Sequence, residues 1–540
     1  MTALLTDNLP LLAGAPNGIK KLRELILELA VRGKLVPQDP NDEPASELLK
    51  RIAEEKARLV AEGKIKKQKP LAEIGEEEKP FDLPTNWEWV RIAAVGHDWG
   101  QKTPDKSFTY IDVGAVDNAA GRISTPQVLM AEGAPSRARK VVQPGTVIYS
   151  TIRPYLLNVA VIDEAYEQEP IASTAFAIIH PYLEMPARYF LWYLRSPVFV
   201  RYVESVQMGI AYPAINDGQF FSGLIPLPPL AEQHRIVAKV DELMALCDRL
   251  EAQQVDAKSA HALLMQALLH SLTQAADAED FAASWQRLAA HFHTLFTTES
   301  SIDALKQTLL QLAVMGKLVP QDPNDEPASE LLQRIAVERL DREGSRRSKS
   351  QVELREIDGS EKKFELPAGW EWVRLQQIVS VSSGDGLVSA KMNTEGSVPV
   401  YGGNGVTGHH DRQNVEKETL VIGRVGYYCG SIHLTPASAW VTDNALIVRF
   451  SERNIDKSFL FWLLKGTNLK EQENATAQPV ISGRKIYPIV LAIPPLAEQR
   501  RIVAKLNQLM VLCDQLKTRL TQARRLNEQL ATALVEQAVA

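Results

Sequence analysis

The chain has 540 residues, 45% hydrophobic and 23% charged, with a net charge of −6 at pH 7. That length exceeds what one core holds, and the composition excludes a disordered or collagen-like chain. The acidic balance argues against a protein that grips DNA unaided, since such domains are usually basic.

No apolar run approaches the roughly 20 residues needed to span a bilayer, and the start, MTALLTDNLPLLAGAPNG, lacks the basic and apolar regions of a signal peptide. Cys247, Cys429 and Cys513 are too far apart in sequence to outline a disulfide framework or a zinc motif. A cytoplasmic protein is expected.

Taken in chain order, the first element is a helix with an apolar stripe, IKKLRELILELAV, from Ile19 to Val31. GKLVPQDPNDEPASELL follows, Gly33 to Leu49, and recurs letter for letter from Gly316 to Leu332, an offset of 283 residues. The second copy also follows an apolar-striped helix, from Ile302. FDLPTNWEWVRI (Phe81 to Ile92) and FELPAGWEWVRL (Phe364 to Leu375) lie at the same offset. PPLAEQHRIVAK (Pro228 to Lys239) and PPLAEQRRIVAK (Pro494 to Lys505) repeat at an offset of 266. The stretch between the WEWVR and PPLAEQ motifs is therefore 17 residues shorter in the second half, and its two versions share almost no matching residues. A frame is duplicated while the segments it carries differ.

Identical frames should dock identical partners about a pseudo-two-fold axis. PQDPNDEP is too polar and Pro-rich to be core, so it is expected to face such a partner. Pro229, Glu232, Gln233, Pro495, Glu498 and Gln499 in the two PPLAEQ motifs are the candidate frame and partner residues.

After each PPLAEQ the apolar residues step by four and three: Ile236, Val240, Leu243, Cys247 and Leu250, then Ile502, Leu506, Leu509, Cys513, Leu516 and Leu520. That is a coiled-coil seam. Helices over Leu230–Leu272 and Leu496–Val539 would each span about 60 Å, and their simplest packing is antiparallel, one against the other. Cys247 and Cys513 read as small core residues. An inserted helical piece, Ala278–Phe296, carries His291 and His293 without a third metal ligand at suitable spacing, so a packed or solvent-facing helix is expected. The charged stretches Lys50–Lys79 and Arg334–Lys363 read as exposed helix and linker, within which KIKKQK (Lys64–Lys69) and SRRSK (Ser345–Lys349) are alternatives as basic arms.

The unlike segments alternate β-type runs with turns and each ends in a helix, near Pro186–Met208 and Ser458–Glu473, giving two α+β domains. In the first, Ser150, Thr151, Arg153, Tyr155 and Asn158 lie in YSTIRPYLLN. In the second, Tyr401, Asn404, Thr407, His409 and His410 share one loop, with Arg424, Tyr427 and Tyr428 in another. Arginine and asparagine on such turns can reach guanine and adenine edges. Each could equally be a turn residue or a satisfied structural group. No Walker A motif, no Asn/Asp-Pro-Pro-aromatic tetrapeptide and no nuclease carboxylate cluster is present, so no catalytic residue is assigned.

The order of these parts resembles, over essentially the whole chain, the specificity subunit of type I restriction–modification enzymes. The two PPLAEQ helix entries, LPxxWEWVRL and its near-twin at Leu83, and the stretches VIYSTIRPYLLNVAV and LVIGRVGYYCGSIHL carry that resemblance. It implies two target-recognition domains (81–228 and 364–494) separated by long helices forming an antiparallel coiled coil. The remaining parts are a helical segment and linker (1–80), a central helical region (229–363) and a C-terminal helix (495–540). It further implies that each domain reads half of a split double-stranded DNA site, with two methyltransferase subunits on the frame and motor-nuclease subunits added. S-adenosylmethionine, ATP and Mg would belong to those partners, with no cofactor or metal in this chain. The competing reading is a coiled-coil scaffold whose domains bind protein only.

Overall fold

The fold comes from a computed structural model that describes residues 11–539 apart from 69, 210, 276–277, 344–355, 394 and 470–479. The run Ser345–Lys349, the last residue of Lys64–Lys69 and the end of the helix expected to reach Glu473 lie outside the described residues. Two compact units are formed: Met1–Ala257 with Ala523–Ala540, and Lys258–Gln522.

Each unit contains a frame helix, Gly18–Val31 in the first and Glu299–Val314 in the second. Both end alike. Gly33 and Gly316 adopt φ of +67° and +72°, and the amides of Lys34 and Lys317 donate to the carbonyls of Leu29 and Leu312, each at 2.9 Å. This is a left-handed helix stop that favours glycine. A Cβ at either position would also lie 2.5 Å from the ring of Pro84 or Pro367, so no larger residue fits. The two lysines then reach the end of a long helix: Lys34 Nζ donates to Val539 O at 2.8 Å, and Lys317 Nζ to Ala275 O at 2.9 Å. A cation there satisfies carbonyls that have no partner within their own helix.

The long helices run Leu230–Gln274 and Leu496–Val539. In the first unit the seam residues Ile236, Val240 and Cys247 are buried in a core that includes Ile19, Leu22, Ile26 and Ala531. In the second, Ile502, Leu506 and Cys513 are buried with Leu305, Leu309, Met265 and Leu269. Within each unit the seam therefore packs a frame helix and the end of the other long helix, a three-helix arrangement rather than a simple pair. Arg23 pairs with Asp248 and Glu251 across the first bundle, and Lys306 pairs with Asp514 across the second. The insertion forms Ala278–Ala290 and Phe292–Leu295. It buries Leu288, Leu295 and Phe296 in the second unit and leaves His291 and His293 exposed.

Both α+β domains open and close on one two-stranded ribbon. Glu88–Arg91 pairs antiparallel with Leu224–Leu227, and Glu371–Arg374 with Val490–Ile493. The WEWVR motif thus pairs with the strand that leads into PPLAEQ, so the chain enters and leaves each domain side by side. Beyond the ribbon, the first domain carries a four-stranded and a six-stranded sheet, the second a four-stranded and a three-stranded one. The helix expected over Pro186–Met208 is two helices, Ala187–Leu194 and Pro197–Val206. Pro197 cannot continue a helix from Leu194, and Ser196 caps the new one by accepting from the Phe199 amide.

The linkers are tethered to the ribbons. Arg91 donates to both carboxylate oxygens of Glu78, each at 2.9 Å, and Arg374 does the same to Glu361 at 2.9 and 3.0 Å. Arg91, helped by the Gly75 amide, holds the Glu78 carboxyl down at about 2, below its usual 4.5. A depressed carboxyl stabilises the folded form above its unfolded pKa and loses that contribution as pH falls toward the folded one. Limited proteolysis is therefore expected to cut the 62–80 linker faster between pH 4.5 and 2. A Glu78→Gln variant should cut fast throughout; equal rates in both proteins would refute the tether.

Candidate functional site

The unlike segments place their loops on the same backbone lattice. In the first domain the Thr151 amide donates to Ala175 O, and the Ile215 amide to Thr151 O, each at 2.9 Å. In the second the Arg424 amide donates to Asn444 O at 2.9 Å, and the Ile481 amide to Arg424 O at 2.8 Å. YSTIRPYLLN and GRVGYYCG are therefore structural equivalents that share almost no residues.

In the first domain Ser150 and Thr151 turn inward and shape the loop. Both are buried, and their hydroxyls donate to Ile152 O and Ala175 O at 2.9 Å. Asn158 is half-buried. Arg153 and Tyr155 are exposed at the turn, which is held between two non-glycine residues of positive φ, Arg153 at +49° and Leu157 at +51°. Such conformations persist only where the surroundings enforce them. Here the Arg153 amide donates to Pro213 O at 2.8 Å, and its guanidinium lies 5.1 Å from the Tyr212 ring centre. Tyr212 and Met208, both more than 60% exposed, join the same surface. Sequence reasoning missed them, although the Gly/Pro-bounded aromatic in MGIAYP is a signal of the kind used elsewhere.

In the second domain the hairpin Val398–Gly402 with Gly405–His410 carries Asn404, Thr407 and His409, all exposed, at or near its turn. Two glycines seat this turn on the Arg424 loop. A Cβ at Gly403 would lie 2.4 Å from Val425 O, and one at Gly423 would lie 2.2 Å from Gly403 O. The two loops that the sequence left separate thus form one surface, on which Tyr427 is 80% exposed and meets Tyr428 edge-on at 5.0 Å. Arg424 is half-buried and donates to Ser383 Oγ and Asp443 O at 3.3 and 3.2 Å. Tyr401 is buried, its hydroxyl pushed above its usual pKa by that burial, and His410 packs edge-on against Trp440. The last two support the hairpin rather than its exposed tip.

The frame residues form a lock between domain and helix. Glu232 accepts from Trp87 Nε1 at 2.9 Å and from Gln38 Nε2 at 2.6 Å, while Arg235 pairs with Asp42 at 2.5 Å. The second copy repeats it: Glu498 accepts from Trp370 Nε1 at 2.9 Å, and Arg501 pairs with Asp325 at 2.5 Å. Burial pushes both glutamate carboxyls up, and the indole donors pull them partly back. Gln233 and Gln499 are buried too, donating to Pro228 O and Pro494 O at 3.0 Å. PQDPNDEP was expected to face a partner, yet its Gln38 and Asp42 bind this chain's own helix entry, because a buried carboxylate needs donors that water cannot supply. Pro37 to Asn41 and Glu43 nevertheless stay exposed.

A family model described as type I restriction modification DNA specificity domain matches residues 84–257 and 367–523, each match covering one domain and the helix that leaves it. The chain is 38% identical to the type I restriction enzyme EcoAI specificity subunit of Escherichia coli, covering 97% of this chain and 94% of that one. It is 36% identical to the EcoEI specificity subunit of the same organism, with the same coverage. A solved structure from work on complex assembly and conformational transition of the type I R-M system is 24% identical and superposes with a TM-score of 0.55, covering 85% of this chain and 99% of that one. With a family match over both domains and near-full-length relatives of this kind, the chain belongs to the family of type I restriction–modification DNA specificity subunits.

Proposed function

We propose that the chain is the sequence-reading subunit of a type I restriction–modification complex and has no active site of its own. Each recognition domain reads one half of a bipartite site in double-stranded DNA. Two modification subunits add S-adenosylmethionine-dependent adenine methylation, and motor-nuclease subunits using ATP and Mg add restriction. The observation that carries this reading is the pairing of two equal locks with two unlike loop surfaces on one backbone lattice. Equal frames suit two copies of one partner; unlike loops suit two different half-sites. The exposed tips Asp39–Asn41 and Asp322–Asn324 are surfaces the copies have in common.

The chain's acidity fits a division of labour in which partners clamp phosphates and this subunit contacts base edges. Among the described residues no helix is long and apolar enough to cross a membrane, and the proposed site of action is the cytoplasm. Sequencing of adenine methylation in cells carrying the cognate modification subunit, with and without this chain, tests the proposal. A split motif that appears only with the chain is expected. Methylation that is absent, or identical without it, would favour a protein-binding scaffold.

Arg153→Ala should weaken specific binding by about 1–3 kcal/mol and relax one position of the first half-site only. Binding assays against single-base variants of both half-sites check this, and a uniform loss across all variants would make Arg153 a phosphate contact.

A further inference from the structure

In the first unit a cleft of about 860 Å³ opens between the second frame helix, Ala45–Ala61, and the recognition domain. Its aromatic lining is compact. The His97 ring centre lies 4.5 Å from Trp99, 5.0 Å from Tyr182 and 5.3 Å from His180, and Trp99 lies 4.9 Å from His180. Two polar atoms of this lining, Trp99 Nε1 and the hydroxyl of Tyr182, are enclosed and have no hydrogen-bond partner among the described residues. Tyr182 is 1% exposed. Unpaired buried donors are rare and need an explanation.

The duplicated frame supplies an internal comparison. His180 pairs with His97 across the first domain's ladder, and Arg449 pairs with Ser380 at the same place in the second. There the corresponding openings are smaller, about 190 and 440 Å³. Glu338, the counterpart of Glu55, accepts from Ser451 Oγ at 2.6 Å and Asn454 Nδ2 at 3.2 Å, and Arg449 donates to Ser382 Oγ at 2.6 Å. Ser451 stands where Tyr182 stands in the first domain. Among the described residues, the first unit's cleft combines an aromatic lining with two orphaned donors.

We propose that this cleft binds a nucleobase, carried by a free mononucleotide, with the base against the half-buried Trp99 and His180 and the phosphate toward Arg51, Arg58 and Lys64. The volume suits it, since small-ligand sites run from about 300 to 1,000 Å³. The two orphaned donors match acceptors in the plane of a base, and aromatic rings stack on its face. Burial lowers the pKa of both imidazoles, that of His180 to about 4. They are neutral at pH 7 and suit an uncharged ring. The rim cations are held by exposed pairs with Glu43, Glu55 and Glu62, which a phosphate can displace at little cost. Glu55 and Glu184 on the same rim oppose more than one or two phosphate charges, which favours a monophosphate.

The cleft lies at the Thr146 end of the strand Val147–Ser150, while the loop with Arg153 leaves its other end. The site is thus distinct from the surface proposed to read DNA, and it does not depend on that proposal.

Calorimetric titration of the full chain with AMP, CMP, adenosine, inorganic phosphate and a short single-stranded oligonucleotide tests it. Saturable mononucleotide binding at one site per chain is expected, weakened at least tenfold by Trp99→Phe, which keeps an aromatic ring but removes the N–H, and by Tyr182→Phe, which removes only the hydroxyl. Arg449→Ala, in the sister position, should change nothing, and affinity should be flat from pH 6 to 8. Adenosine should bind more weakly than AMP, and phosphate alone not measurably. Binding by the oligonucleotide but not by AMP would overturn the free nucleotide as the source of the base. No saturable binding by any base-bearing probe, or binding unaltered in both variants while circular dichroism shows them folded, would overturn the site.

Discussion

Replacing residues 375–489 with the corresponding part of a family member of different specificity is expected to change one half of the methylated site completely and leave the other half as it was. The reason lies in how the domain is mounted. Its entry and exit strands, Glu371–Arg374 and Val490–Ile493, pair in register from Glu371 opposite Ile493 to Arg374 opposite Val490. An exchange between those strands leaves the ribbon whole, together with Trp370, Glu498, Asp325 and Arg501 of the lock. The graft then inherits the frame's position, whereas the exposed loops around Asn404 and Tyr427 are replaced as a set. Discrimination between correct and incorrect base pairs amounts to about 1–3 kcal/mol each, so several positions changed together convert the half-site rather than blur it. Methylome sequencing of cells carrying the exchanged chain reads the result. A methylated site that is unchanged, or altered in both halves, would contradict independent reading by the two domains.

Trp370→Ala is expected to destabilise the second unit by about 3–5 kcal/mol, the range for truncating a large buried aromatic. Trp370 is 4% exposed and donates its indole N–H to Glu498 at 2.9 Å, so the substitution opens a cavity and removes a donor from a buried carboxylate. Trp370→Phe separates the two effects. It keeps most of the packing and should cost about 1–3 kcal/mol, the penalty for an unsatisfied buried acceptor. Trp87→Ala and Trp87→Phe should behave alike in the first unit, where Trp87 is equally buried against Glu232. Denaturant unfolding followed by hydrogen exchange measures both the size of the loss and the unit in which it falls. A change below about 1 kcal/mol for the alanine variants would mean the lock is ornamental to stability.

Much of the architecture is legible in the sequence because it rests on local rules. The four-three spacing of Ile236, Val240, Leu243 and Cys247 marks the buried face of a long helix, and Val240 and Cys247 are fully enclosed. Paired prolines ahead of Leu230 and Leu496 mark where those helices begin. Letter-for-letter repetition obliges both frame copies to fold alike, down to the left-handed glycines at 33 and 316.

The lock was not legible, since Trp87 and Glu232 are 145 residues apart and Gln38 and Glu232 are 194 apart. Nor was the exposure of the loop residues. Ser150 and Arg153 stand three places apart on one turn, yet one is enclosed and the other open. Tyr212 joins Arg153 from a distant segment.

The sequence alone thus determined the repeat, the helices and their apolar faces, because propensity and periodicity act over a few residues. Tertiary structure alone decided which polar groups turn inward to a buried partner and which reach the surface, because that choice depends on donors and acceptors that meet only when remote segments pack together.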